Sequence, residues 1–118
     1  LIVTLTGVLS LGIFDVDVHR FENSVKVPQI GWNQIANLKS TLFAGIKEKE
    51  YIYLVHSYYA PLCKETVATT QYGLTYSTAL QKDNFYGTQF HPEKSSKAGT
   101  QILKNFLELK LETNNFKR

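Results

Sequence analysis

Phe90-His91-Pro92-Glu93-Lys94-Ser95 places an imidazole and a carboxylate two residues apart. If the backbone stays extended through Pro92, side chains at that spacing project to the same side. The carboxylate then accepts a hydrogen bond from one ring nitrogen and leaves the other as a base. An acid so placed fixes the tautomer of a catalytic histidine and stabilises the imidazolium formed when a nucleophile gives up its proton. The competing reading is a surface His-Pro turn with a solvated glutamate, the ordinary meaning of an isolated His-x-Glu. A nucleophile would be sought first at Cys63, the one cysteine. It stands in Pro61-Leu62-Cys63-Lys64-Glu65 without small neighbours and reads as a buried or loop thiol. His56, flanked by Leu54 and Val55, reads as a satisfied structural histidine rather than a second base.

The His91 segment falls where a strand pattern gives way to a helical one, and strand ends in α/β sheets commonly carry catalytic groups. Before it, short strands are predicted at Thr66 to Tyr72, Thr75 to Gln81 and Phe85 to Phe90, punctuated by Gly73 and by Lys82-Asp83-Asn84. They could form a meander. After it, Ala98, Ile102, Phe106 and Leu109 share one helical face, with Leu103 and Leu107 beside them, and Ser95 or Ser96 can cap the start. Further upstream, Phe14, Val16 and Val18 alternate with Asp15, Asp17 and His19, predicting a strand over Gly12 to Phe21. Val27-Pro28-Gln29-Ile30-Gly31-Trp32-Asn33 reads as an extended loop. Tyr51 to His56, aromatic and β-branched, reads as a buried strand.

The 118 residues suit one domain, and 43% hydrophobic content is ordinary for a globular protein. The net charge of +3 comes from scattered Lys and Arg with no run of four, so it reads as a solvated surface and not a nucleic-acid footprint. One cysteine excludes an internal disulfide and a multi-cysteine zinc site and leans toward the cytoplasm. Leu1 to Val8 is far too short to span a bilayer, so no membrane association is expected. Neither a metal nor an organic cofactor is indicated. The absence of methionine, even at position 1, leads to the expectation of sequence upstream.

Gly87-Thr88-Gln89-Phe90-His91-Pro92-Glu93 resembles the closing signature of class I glutamine amidotransferases. Val27 to Asn33 and Tyr53-Leu54-Val55-His56-Ser57-Tyr58-Tyr59 narrow the likeness to the glutaminase subunits of imidazole glycerol phosphate synthase. The resemblance runs from about Gly12 to about Leu109. It leaves residues 1–11 uncertain and 113–118 as a frayed tail. It implies an α/β fold: the carboxy-terminal part of a flavodoxin-like amidotransferase domain, with a mixed sheet and a terminal helix. It also implies glutamine hydrolysis through a cysteine thioester. The ammonia would feed a (β/α)8-barrel cyclase that makes imidazole glycerol phosphate and an aminoimidazole carboxamide ribotide in histidine biosynthesis.

Carried over by motif, His91 would be the catalytic general base and acid and Glu93 its orienting carboxylate. Ser57 and Tyr58 would hold glutamine through their backbone. Trp32, Asn33, Tyr53 and Lys94 would face the cyclase, although without the resemblance Tyr53 could be strand core, Trp32 a loop anchor and Lys94 a solvated lysine. The family's nucleophile lies on a sharp Gly-x-Cys-x-Gly turn, and no such turn occurs in these residues; Cys63 lies downstream of its place. The chain is therefore expected to be a carboxy-terminal fragment, inactive alone. The alternative is a non-catalytic remnant that only docks to the cyclase.

Overall fold

In a computed structural model, the structure describes residues 2–4, 17–83 and 85–116, with side chains for 17–83 and 85–109. The expected meander forms: β6 (Thr66–Gln71), β7 (Thr75–Lys82) and β8 (Phe85–Thr88) are antiparallel neighbours, and β1 (Ile2–Thr4) joins β8 in parallel. The order β1-β8-β7-β6 is thus a mixed sheet. From Tyr76 to Leu80 every residue of β7 is buried. Its polar residues are paired: Thr78 bonds Thr70 at 2.6 Å and Ser77 bonds Thr66 at 2.6 Å. A central strand covered on both faces can carry hydroxyls only when each finds a partner.

The strand predicted over Gly12 to Phe21 lies largely outside the described residues. Within them, β2 (His19–Arg20) pairs with β5 (Tyr58–Tyr59). Phe21 follows, buried edge-on against His56, Tyr72 and Tyr76.

Two expectations are corrected in the next pair. Gln29 to Asn33 is not loop but the start of β3 (Gln29–Ile35), antiparallel to β4 (Glu50–His56) in its own two-stranded sheet. At its start the polarity of β3 is inverted, Ile30 and Trp32 facing out and Gln29 buried, whereas Ile35 at its end enters the core. That inversion hides a strand from a hydrophobicity pattern. Gly31, at φ +125°, gives the strand a conformation that L side chains rarely adopt. Nor is β4 buried throughout: Ile52, Leu54 and His56 point inward, Tyr51 and Val55 outward. Aromatic and β-branched residues favour the pleated backbone on either face, so content alone did not reveal the exposed side.

Leu42 and Phe43 enter the core on a single 3₁₀ turn, Thr41–Phe43, capped by the Ser40 hydroxyl. They meet Ile35, Ile52 and Leu54 beneath the terminal helix α1 (Ser96–Phe116). As predicted, Ala98, Ile102, Phe106 and Leu109 of α1 pack on that core, whereas Leu107 is exposed. The apolar face also holds a buried Asn105. Its Nδ2 donates to the Leu42 carbonyl at 2.8 Å and the Ala44 carbonyl at 2.7 Å, and its Oδ1 accepts from Gln101. One side chain thus satisfies two loop carbonyls that the helix would otherwise bury unpaired.

Asn105→Ala should lower the unfolding free energy by about 2 kcal/mol, the scale for a buried polar group left without its partner. Urea denaturation reads this directly. An unchanged midpoint would show that the two carbonyls find water instead.

Candidate active site

Strand β8 ends at Thr88, two residues before the expected end, because the chain turns inward to bury Phe90. Thr88 Oγ1 donates to the Phe90 carbonyl at 3.1 Å, and Gln89 N–H donates to the Thr78 carbonyl at 2.8 Å. With Phe90 anchored, His91 emerges at the surface in extended conformation, and Pro92–Lys94 form a 3₁₀ turn. The backbone therefore does not stay extended through Pro92. The turn nonetheless brings the pair together: His91 Nδ1 lies 3.0 Å from Glu93 Oε1. Proline suits this first helical position, where its missing N–H costs nothing.

The Glu93 side chain is 58% exposed and that of His91 27%. An ion pair so exposed adds little to stability, on the order of 0–1 kcal/mol. Its consequence is orientation. With Glu93 accepting from Nδ1, the proton sits on that nitrogen and Nε2 presents its lone pair to a reacting group.

The turn is held to β4. His91 N–H donates to the Tyr53 carbonyl at 3.2 Å, and Ser95 Oγ accepts from Tyr53 N–H at 3.0 Å while donating to the His91 carbonyl at 2.7 Å. Ser95, read from sequence as a helix cap, is instead this clamp. The sequence holds no signal that separates the two roles, since a serine before a helix suits both.

At the end of β4, His56 is buried with every ring nitrogen engaged. Nδ1 lies 2.7 Å from the Tyr58 carbonyl, and Nε2 lies 2.8 Å from the Gln29 side-chain amide and 3.1 Å from the Tyr76 hydroxyl. Loss of solvent, with a smaller contribution from the nearby His91 charge and against the Tyr58 hydrogen bond, lowers its pKa to about 4. A neutral ring donates from Nδ1 to the Tyr58 carbonyl and accepts at Nε2 from the Tyr76 hydroxyl, since Gln29 Oε1 can only accept, and so fixes the backbone on either side of Ser57. The Ser57 carbonyl in turn accepts from Phe21 N–H at 3.1 Å. Burial likewise raises the Tyr76 hydroxyl pKa far above its ordinary value.

Of the residues expected at a partner face, Trp32 and Tyr53 stand opposite each other across β3 and β4, ring centroids 5.7 Å apart and edge-on. Trp32 is 52% exposed, and Ile30, Tyr51 and Val55 extend the same outward face. Lys94 is exposed on the His91 turn. Asn33 is not brought to this face: its side chain bonds the Gln71 carbonyl and the Gln34 N–H. Cys63 is a half-buried thiol in the loop before β6, bonded to Thr66 and not to His91. Among the described residues no cluster of three metal-ligating side chains occurs, and no helix is long and apolar enough to cross a membrane.

Residues 8–109 match the family described as glutamine amidotransferase class-I. The chain is 58% identical over 102 residues to the imidazole glycerol phosphate synthase subunit HisH of Bacteroides fragilis, covering 84% of this chain and 52% of that protein. Against HisH of Yersinia pseudotuberculosis it is 46% identical over 105 residues, covering 87% of this chain and 54% of the relative. The chain thus spans about half the length of the curated relatives it matches. A solved structure from Thermoplasma acidophilum, described as a GMP synthase component, superposes with a TM-score of 0.71 at 18% identity, covering 87% of this chain and 52% of that one. That likeness supports the fold.

Between pH 6.5 and 4 the unfolded chain binds a proton at His56 that the folded chain refuses. Stability from this residue is therefore complete above pH 6.5 and falls as pH drops, by about 3 kcal/mol near pH 4. Unfolding measured at several pH values should show this slope, and His56→Asn should remove that part of it. Equal slopes in both proteins would mean that His56 is not held neutral.

Proposed function

This chain belongs to the class I glutamine amidotransferases, and from that premise we propose that it is the His-Glu part of the glutaminase subunit of an imidazole glycerol phosphate synthase. The observation that carries the reading is the His91 Nδ1 to Glu93 Oε1 contact at 3.0 Å on a turn at the end of a sheet strand. Substantial identity to HisH proteins along most of the chain supports the choice of substrate and pathway.

In this reading His91 Nε2 takes the proton of a cysteine thiol, and the thiolate attacks the side-chain amide carbon of glutamine. Glu93 stabilises the resulting imidazolium. As the tetrahedral adduct collapses, the C–N bond breaks and His91 returns the proton to the departing ammonia. Water, deprotonated by the same imidazole, then cleaves the thioester to glutamate. The backbone at Ser57 and Tyr58, ordered by His56 and Phe21, holds the glutamine. The nucleophile comes from a Gly-x-Cys-x-Gly turn outside these 118 residues, because Cys63 lacks both small neighbours and contact with His91. The chain alone is thus inactive.

Ammonia released here passes to a (β/α)8-barrel cyclase, docked against Trp32, Tyr53 and Lys94 in the cytoplasm. An exposed edge-on aromatic pair flanked by Ile30, Tyr51 and Val55 suits a protein interface, where aromatic residues carry much of the binding energy. The missing cysteine favours a second reading, a remnant that docks without catalysing.

Joined to a segment bearing the nucleophile and assayed with its cyclase, the protein should release glutamate, and His91→Ala should reduce the rate at least about a hundredfold. Activity surviving His91→Ala would remove His91 from the chemistry. Absence of glutamate release from the joined protein, with cyclase binding intact, would favour the docking remnant. In the same complex Trp32→Ala should weaken cyclase binding by about tenfold or more. Lys94→Glu should also weaken it, with circular dichroism unchanged. Unaltered affinity in both variants would place the interface elsewhere.

A further inference from the structure

We propose that Ser95 is a positioning residue for the His91–Glu93 pair: its hydroxyl clamps the turn that carries the pair to strand β4. The inference rests on the reading of His91 as the proton-transfer group, and its geometry stands apart from it. Ser95 is 1% exposed, and its hydroxyl is used in both directions, accepting Tyr53 N–H and donating to the His91 carbonyl. His91 is therefore gripped through both of its backbone polar groups by one residue of β4, directly at its N–H and through Ser95 at its carbonyl.

The turn needs such a grip. Ser96 follows at φ 55°, a left-handed conformation that non-glycine residues hold only when their surroundings over-determine it. Gly99 supplies the second constraint. A Cβ built there would overlap the Pro92 carbonyl oxygen, so the helix packs directly on the 3₁₀ turn, and Gly99 N–H donates to the Ser95 carbonyl at 3.1 Å. Packing fixes the depth of the turn. The Ser95 hydroxyl fixes its rotation about β4, and with it the direction in which His91 projects.

A general base misplaced by a fraction of an ångström loses rate while substrate contacts made elsewhere are kept. In the complete glutaminase assayed with its cyclase, Ser95→Ala should lower kcat about 10- to 100-fold with KM for glutamine unchanged. Ser95→Cys, of similar size with a weaker hydrogen-bonding group, should fall between. Nitrogen NMR of the His91 ring should show one tautomer, protonated at Nδ1, in the parent protein and a mixture in Ser95→Ala. A folded Ser95→Ala protein with parental kcat and a single tautomer would overturn the proposal. So would a loss in which KM rises as much as kcat falls. If Ser95→Ala does not fold, Ser95→Cys carries the same measurements, and parental values there overturn it equally. His91→Ala in the same assay separates the two ideas: retained activity in it rejects the catalytic reading, while the tautomer measurement still reports on the clamp.

Discussion

Tyr53 gives its backbone to the turn that bears His91 and Glu93 and its ring to the exposed face of the molecule, and most of the architecture follows from that division. The carbonyl and N–H of Tyr53 hold His91 and Ser95. They are available because β4 is paired on its other side with β3. A strand with one free edge presents unpaired N–H and C=O groups that must be satisfied. Here the turn satisfies those of Tyr53, so backbone chemistry at the strand's free edge positions the His91–Glu93 pair.

The alternation of β4 then separates two environments only one residue apart. Ile52, Leu54 and His56 face the interior, where α1 and the Thr41–Phe43 turn close the core. Tyr51, Tyr53 and Val55 face outward beside Ile30 and Trp32. The backbone grip on His91 and the outward aromatic face thus share a strand without sharing its inward side chains.

Polar groups are built into the interior in complete sets. His56, Gln29 and Tyr76 satisfy one another beside Phe21; Thr70 and Thr78, Thr66 and Ser77, pair across β6 and β7; Asn105 serves two loop carbonyls. Among the described residues, no buried side-chain nitrogen or oxygen lacks a hydrogen-bond partner. Networks of this kind are costly when broken and specify one arrangement when intact. They make the neutral state of His56 a property of the fold, whereas the exposed His91–Glu93 contact contributes direction more than stability.

The sequence by itself determined the family, the meander, the terminal helix and the identity of the His-Glu pair. Each of these is written in local terms: a contiguous motif, a period of two, a period near 3.6 and turn residues between them. It misread β3, whose first apolar residues, Ile30 and Trp32, face outward, and it took β4 as wholly buried, because pattern reports amphipathicity without saying which face meets water. Only the tertiary structure decided that Ser95 clamps rather than caps, that Asn33 turns away from Trp32, and that Gly99 is small because Pro92 lies against it. These are relations between residues distant in the chain, set by the way helix and strand pack, and no local spacing encodes them.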